Sequence, residues 1–388
     1  MPKVMRVVVL LTFLIGAGLT YHLGAWGFNR QVYIHFAELQ LDGFDPYHPP
    51  ADAAAMGYEP SHDPQYLAYS GLSHGVFVTA TWLWRRTGLN ALVLYSLMLL
   101  GLVLLVLDRL RERGQISDSQ FRWTALLVLS PPTWDFLFRL SFEDKFQWPL
   151  AVLLFVWWRE RRPLAAAASV GFFTAWIGLP ALFAPLLLID AWRVERDPVA
   201  RRSRVLRLGI VGGAAFAVAM LPFFPASLQG WHIRAVLDAG PPLWDSPWRV
   251  LGSHYVPGMN RAALLLISGL AWWQYAADRW TATETALALM CGSFLTSILV
   301  GTQHVVPLVM LTPLAVRSAR TRGAVALAIL CIELSWDIGV RHSGALAVMP
   351  PAGRGAAPEV LWICAPYFLL FAVLIAQRTT PPPSLHRV

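Results

Sequence analysis

The first residues that could do chemistry are acids and a histidine that follow the first apolar stretch. His35, Glu38 and Asp42 lie at i, i+3 and i+7, a spacing that places them on one face of a helix. Gly43 is expected to end this helix, and Asp45-Pro46 begins a turn. A carboxylate on such a face could accept the proton of a hydroxyl group and make it a nucleophile. The same spacing also fits a helix face that is simply solvated.

A second charged group stands between two apolar runs and consists of Arg139, Glu143, Asp144 and Lys145. Lysine is otherwise found only at Lys3, although the chain has 31 basic residues. A basic side chain at this place could hold a phosphate group as a point charge. An ordinary solvated cap between two helices would have the same composition.

Two further acids, Glu333 and Asp337, lie i, i+4 within an apolar run. Acids inside a membrane are costly and are a functional hypothesis by default. Arg341 follows Asp337 by four residues, so a structural ion pair is the alternative.

The composition indicates what must position these residues. Of the 388 residues, 56% are hydrophobic and 14% are charged, whereas soluble domains carry about 25% charged residues. Continuous apolar runs of about 20 residues indicate helices that span a membrane, since lipid offers the backbone no hydrogen-bond partners. We therefore expect an all-α integral membrane protein, a single polytopic domain over residues 1–388 with about 11–12 transmembrane helices.

The predicted apolar runs are Val4–Trp26, Ala91–Leu107, Trp123–Phe138, Trp148–Trp158, Pro163–Gly178, Ala181–Ala191, Leu208–Phe224, Ala262–Ala277, Ala286–Val300, His304–Val316, Ala324–Val340 and Val360–Ala376. The two runs that flank Leu179-Pro180 are either one broken helix or a hairpin of two. The first run has a basic start but is longer than a signal peptide's apolar stretch, so we expect an uncleaved helix.

The arginines predict the orientation. If the runs alternate, most basic residues fall on the side of the N-terminus, which the positive-inside rule makes cytoplasmic. We expect a multi-pass cell (inner) membrane protein with both termini in the cytoplasm. The net charge of +8 is then explained by the basic residues of the cytoplasmic loops. No loop is long enough for a nucleic-acid-binding domain.

Two long loops are predicted on the outer side. Residues 27–90 form the first, and we expect Tyr66–Trp84 to lie on the outer face as an interfacial helix, with Trp82 and Trp84 at the interface. Residues 225–261 form the second and carry His254.

Short motifs resemble a known superfamily. Val32-Tyr33 followed by Gly43-Phe-Asp-Pro-Tyr47 is similar to the first outer loop of GT-C glycosyltransferases, above all bacterial polyprenol-phosphate-mannose-dependent mannosyltransferases and the enzyme that adds the first mannose of GPI anchors. The segment from Arg139 to Lys145 resembles their second outer loop, and Gln303-His304 stands where they place a polar motif.

The resemblance implies a GT-C-like fold and an inverting transfer of a sugar, such as mannose, from a polyprenyl phosphate to a lipid or glycan acceptor of the cell envelope. The family's loop acid corresponds here to Asn29, which cannot act as a base. Either Asp42, Glu38 or Asp45 replaces it, with Asp42 the first choice, or the chain is an inactive relative that supports a partner enzyme. A lipid or solute transporter is the other alternative.

The resemblance and the charge pattern together give a set of residues expected to bind donor or acceptor: Asn29, His35, Tyr47, Arg139, Glu143, Asp144, Lys145, His254, Gln303 and His304. The histidines show no metal-ligand spacing, and the three cysteines lie in apolar runs, so no metal residues are assigned. The chemistry is compatible with a divalent metal and requires no other cofactor.

Overall fold

The computed structural model describes residues 3–23, 34, 37–44, 71–135, 146–221, 228, 243–244, 248, 251, 254–297, 299–300, 308–343 and 357–377. The described α-helices include α1 (Lys3–Leu23), α2 (Gly71–Thr87), α3 (Ala91–Glu112), α4 (Asp118–Val128), α5 (Pro131–Asp135), α6 (Gln147–Arg159), α7 (Pro163–Ile177), α8 (Ala184–Val194), α9 (Pro198–Met220), α10 (Met259–Ala276), α11 (Ala282–Thr296), α12 (Thr312–Ala315), α13 (Ala319–Ser343) and α14 (Ala357–Ala376). Residues Leu179–Phe183 form a 3₁₀ helix.

Within the described ranges, the regular secondary structure is helical apart from one short strand pairing. Two-residue strands β1 (Leu243–Trp244) and β2 (Leu299–Val300) pair in parallel, with Leu243 opposite Leu299. This contact joins the predicted second outer loop to the segment that follows α11. The predicted all-α class therefore holds, with this small addition.

Three of the described helices are long and apolar enough to cross a membrane: Val4–His22, Ala91–Glu112 and Pro198–Met220, of 19, 22 and 23 residues. On α1, Val4 is 69% and Ile15 is 63% exposed. A soluble protein rarely leaves so much contiguous apolar surface in water, so these helices support a membrane protein. The other predicted runs coincide at least in part with described helices, and the total number of spans stays a prediction.

Local sequence explains where several helices begin. The Ser117 hydroxyl accepts a hydrogen bond from the backbone of Gln120, whose side chain in turn accepts one from the backbone of Ser117, so a capping box starts α4. Thr281 and Glu284 form the same motif at the start of α11. These reciprocal bonds satisfy backbone donors that the first turn of a helix leaves open.

Ion pairs gather the ends of several helices into what we call the arginine-rich end of the bundle. Arg6 on α1 pairs with Glu112 and, at 3.4 Å, with Asp108 on α3. Arg111 lies 2.6 Å from Asp108 and 3.6 Å from Asp118, the first residue of α4. The start of α1, the end of α3 and the start of α4 therefore lie together.

The same end includes α6, α8 and α10. Arg159, the last residue of α6, lies 3.0 Å from Asp190 on α8, and both contact the Tyr275 hydroxyl of α10. Arg193 pairs with Asp278 at 2.8 Å, just beyond α10. These contacts place the end of α8 beside the end of α6.

The contacts of Arg317 show that the last helix, α14, ends at the arginine-rich end. Its guanidinium lies 2.7 Å from Glu284 at the start of α11, and its backbone N–H donates to the side chain of Gln377, which follows α14. The start of α1 and the end of α14 thus lie at one end of the bundle, which agrees with the prediction that both termini are on one side. The assignment of that end to the cytoplasm stays a prediction.

The turn at Gly178 resolves the Leu179-Pro180 alternative. Gly178 has φ +77, a conformation that favours glycine, and the 3₁₀ helix follows it directly. Because α7 starts and α8 ends at the arginine-rich end, the two runs form a hairpin and not one broken helix.

Helix α2 crosses the opposite end of the bundle. Leu72 packs beside Ala175 and Met220, near the last residues of α7 and α9. Phe77 packs in a cluster with Leu92, the second residue of α3. Its described part covers Gly71–Thr87 and runs three residues past the predicted end at Trp84, whereas residues 66–70 lie outside the described residues. Its contacts agree with a helix that lies across the bundle's end, and its place at a membrane interface stays a prediction.

Candidate functional site

The site begins with the helical turn of residues 37–41. Ala37 and Leu39 are almost fully buried, at 1% and 2% exposed, and Ala37 packs in a cluster with Phe77 of α2 and Leu92 of α3. Glu38 and Asp42, four residues apart, share one face of the turn. Gly43, with φ +86, ends the helix as predicted, and the Phe44 N–H donates to the carbonyl of Leu39 at 2.9 Å.

Arg85, near the end of α2, holds both acids. Its Nη1 donates to Oδ1 of Asp42 at 3.0 Å and its Nη2 to Oδ2 at 3.2 Å, a two-pronged arrangement. The same Nη2 lies 3.4 Å from Oε1 of Glu38. Hydrogen bonding to Asp42 raises the pKa of Arg85 above its ordinary value, so the guanidinium stays charged. We call Glu38, Asp42 and Arg85 the acid–arginine cluster.

The acid–arginine cluster is open to solvent. The side chains of Arg85, Asp42 and Glu38 are 38%, 34% and 28% exposed. An ion pair this exposed contributes about 0–1 kcal/mol to stability, because water and salt screen it. An anionic ligand could therefore displace Asp42 from the guanidinium at little cost.

The two acids differ in how they are held. Both carboxylate oxygens of Asp42 accept hydrogen bonds from Arg85, whereas Glu38 makes one longer contact, with Nη2 of Arg85. Each carboxylate oxygen has two lone pairs, so Asp42 keeps acceptor capacity while Arg85 holds it, and its release would free both oxygens fully. This arrangement was not visible in the spacing of the acids.

Arg85 is a functional candidate that was not predicted from the sequence. Its position offered one signal, since Arg85-Arg86 stands in a loop assigned to the outer side, against the positive-inside bias. Arg86 lies over the ring of Trp82 at 5.7 Å, and Trp82 is 46% exposed. The structure thus pairs one arginine with acids and the other with an exposed aromatic ring.

His254 lies in a short turn ahead of α10 and is exposed. Its neighbour Tyr255 donates a hydrogen bond from its hydroxyl to Oδ1 of Asn260 at 3.1 Å, and its ring contacts Trp248. Gly258, with φ +92, then starts α10. The contacts of Tyr255 hold this turn to the start of α10.

Most of the other predicted site residues lie outside the described residues, namely Asn29, His35, Asp45, Tyr47, Arg139, Glu143, Asp144, Lys145, Gln303 and His304. Of the predicted set, the structure therefore brings together Glu38 and Asp42, and it adds Arg85 to them.

Glu333 is buried within α13, at 3% exposed. Neither of its carboxylate oxygens has a hydrogen-bond partner within the described part of the chain. The side chains of Asp337 and Arg341, its predicted neighbours, lie outside what the structure describes. An isolated acid in an apolar interior is costly, which agrees with the expectation that this position has a role beyond packing.

Among the described residues, no three or more His, Cys, Asp or Glu side chains form a group that could hold a metal ion. No protein-family model matches this chain, and neither a curated protein nor a solved structure matches it. The acid–arginine cluster is therefore the arrangement of described residues with the clearest capacity for chemistry.

Proposed function

We propose that the protein is a membrane glycosyltransferase that moves a sugar, such as mannose, from a polyprenyl-phosphate donor to a lipid or glycan acceptor. The observation that carries the proposal is the double hydrogen bond from Arg85 to Asp42, with Glu38 beside it. A guanidinium suits a phosphate, and a carboxylate suits the acceptor's proton. Both groups stand where the apolar helix α2 could meet a lipid chain.

In the proposed reaction the donor phosphate takes the place of Asp42 at Arg85. The acceptor hydroxyl oxygen then forms a bond to the anomeric carbon of the sugar, and the bond from that carbon to the phosphate oxygen breaks with inversion. Polyprenyl phosphate leaves with the electron pair. The hydroxyl proton passes to the released Asp42 carboxylate, and Glu38 is the second choice as base. Donor binding would thus free both oxygens of the base that the reaction needs.

An inactive partner subunit is the second candidate. The family's loop acid is replaced by Asn29, and an Asp42–Arg85 pair of this kind would also serve as a purely structural contact. This candidate predicts that no acid of the acid–arginine cluster matters for transfer.

The test measures transfer from a panel of radiolabelled polyprenyl-phosphate sugars to extracted lipids and glycans by purified protein in lipid. Wild type is compared with Asp42→Asn and Glu38→Gln. We expect Asp42→Asn to lower the rate by about 10²–10⁴-fold, the usual contribution of a general base, and Glu38→Gln to lower it less.

A matched control is Asp278→Asn. Asp278 also pairs with an arginine, Arg193, but at the arginine-rich end, and its φ of 55 is one that asparagine adopts readily. This variant should keep full activity. Equal transfer rates for wild type, Asp42→Asn and Glu38→Gln would show that neither acid is the base. No transfer from any donor would favour the inactive subunit or a transporter.

A further inference from the structure

Three uncharged side chains from three helices meet at Tyr95 of α3. The Gln147 side chain, at the start of α6, donates a hydrogen bond from Nε2 to the Tyr95 hydroxyl of α3 at 2.8 Å. The Tyr95 ring stacks on Trp176, near the end of α7, with centroids 6.3 Å apart and planes inclined by 29°. We call Tyr95, Gln147 and Trp176 the amide–aromatic cluster.

Two polar atoms of the amide–aromatic cluster are buried without a hydrogen-bond partner in the part of the chain that the structure describes. They are the side-chain oxygen Oε1 of Gln147 and the indole nitrogen Nε1 of Trp176. Gln147 as a whole is 1% exposed. Buried polar atoms are nearly always hydrogen-bonded in folded proteins, so two unsatisfied ones on side chains that contact the same tyrosine call for a ligand or bound water.

The chemistry of the amide–aromatic cluster selects the ligand class. Gln147 Oε1 accepts a hydrogen bond and Trp176 Nε1–H donates one, and a hydroxyl group does both. None of the three side chains carries a charge that would favour a phosphate or a cation. Aromatic faces suit the apolar faces of a small ring, and binding sites typically combine such surfaces with a few placed polar groups. These features match a neutral ring bearing several hydroxyls.

The position of the amide–aromatic cluster relates it to the acid–arginine cluster. Trp176 directly follows Ala175, which packs beside Leu72 at the start of α2. Tyr95 lies one turn after Leu92, which packs against Phe77 of the same helix. Helix α2 therefore passes over the amide–aromatic cluster and carries Arg85 at its far end.

We propose that Tyr95, Gln147 and Trp176 form the subsite that binds the donor's sugar ring, beneath the helix whose Arg85 binds the donor's phosphate. This inference rests on the proposed function. It adds that the protein distinguishes the sugar-bearing lipid from the bare lipid phosphate through an uncharged amide and two aromatic rings. Gln147 and Trp176 are then specificity-determining residues, and neither takes part in proton transfer.

The test is equilibrium binding to protein in lipid nanodiscs, with radiolabelled polyprenyl-phosphate hexoses and pentoses compared with the same polyprenyl phosphate without sugar. Wild type should bind at least one sugar-bearing lipid more tightly than the bare lipid. Trp176→Phe keeps the ring and removes the N–H, and Gln147→Met keeps the shape and removes the amide. Each should reduce that preference by about fivefold, the effect of one lost hydrogen bond, with binding of the bare lipid unchanged.

Trp157→Phe is the matched control. Trp157 also has a buried indole nitrogen with no partner among the described residues, but it stacks on Trp158 near the end of α6, at the arginine-rich end. This variant should keep the wild-type preference. Equal binding of sugar-bearing and bare lipid by wild type would overturn the subsite alone, as would unaltered preference in both test variants. Absence of binding to every polyprenyl phosphate would instead overturn the proposed function.

Discussion

Gly171 on α7 and Gly212 on α9 lie in direct backbone contact. A β-carbon added at Gly171 would collide with the carbonyl oxygen of Gly212, and one added at Gly212 would lie 3.2 Å from the carbonyl oxygen of Ala167. Small residues allow helices in a membrane to approach this closely, where apolar burial gives no net drive to associate. The contact makes α7 and α9 one unit of the bundle.

Gly171→Ala should therefore destabilise the protein by about 1–3 kcal/mol, the usual cost of an overpacked site. The check is thermal unfolding in detergent. Gly213→Ala is the control, because Gly213 on the same helix as Gly212 has no atom within 4 Å of the added β-carbon. An alanine there should leave stability unchanged or raise it by up to about 1 kcal/mol. Equal unfolding temperatures for the two variants would contradict the packing described.

Arg85→Lys tests whether the shape of the guanidinium matters in addition to its charge. Lysine keeps the positive charge but cannot donate two parallel hydrogen bonds to a carboxylate or phosphate. If Arg85 binds the donor phosphate, we expect KM for the donor to rise by about tenfold, which corresponds to roughly 1.4 kcal/mol of binding. Steady-state kinetics in lipid measures this.

The neighbouring Arg86→Lys serves as the comparison for Arg85→Lys. Arg86 lies over the Trp82 ring and is exposed, so its replacement should leave KM for the donor within twofold, roughly the scale of an exposed contact. A similar rise in KM for both variants would mean that replacing either arginine of α2 by lysine weakens donor binding. That result would count against a specific role for Arg85.

The Arg317–Glu284 pair should be important for stability. Their side chains are only 11% and 2% exposed, and Arg317 lies 2.7 Å from Glu284. Removing one partner of a buried pair leaves the other charge uncompensated, so Glu284→Gln should cost about 3–5 kcal/mol. Unfolding monitored at several denaturant concentrations measures the loss.

The exposed pair Arg109–Glu112 gives the contrast to that buried pair. Arg109 is 53% exposed, and Arg109→Gln should change stability by less than about 1 kcal/mol. Adding Arg317→Gln to Glu284→Gln should recover part of the loss, because no buried charge then remains unpaired. Failure to recover would contradict the assignment of the loss to an unpaired buried charge, since glutamine at position 284 can still cap α11 as Gln120 caps α4.

The orientation of the bundle can be tested with single cysteines in sealed membrane vesicles. Arg86→Cys lies near the end that α2 crosses, and Arg161→Cys follows α6 at the arginine-rich end. In right-side-out vesicles a membrane-impermeant thiol reagent should label the first at once and the second only after permeabilisation. Cys331, the exposed native cysteine, is replaced by serine as background. Labelling of both positions before permeabilisation would contradict the predicted topology.

The helices were largely predictable because apolar runs and their boundaries depend on local sequence. Gly43 and the run that ends at Gly178 show this, since glycine at positive φ marks both ends. The spacing of Glu38 and Asp42 also predicted their common face. Their partner was not predictable in this way, since Arg85 lies 43 residues after Asp42 and meets it only through the packing of α2. The amide–aromatic cluster needs three separate helices and has no sequence signal.

Helix α1 also constrains how the protein assembles during synthesis. Its partner for Arg6, Glu112, lies 106 residues later, so at about 5–20 residues per second roughly 5–20 s pass before that contact can form. Only 11% of the apolar window of α1 is buried in the finished fold. A helix with so little of its surface buried against other helices can be stable in the bilayer before its neighbours are inserted. Its docking through Arg6 would then follow the completion of α3, before the helices from α4 onward are made.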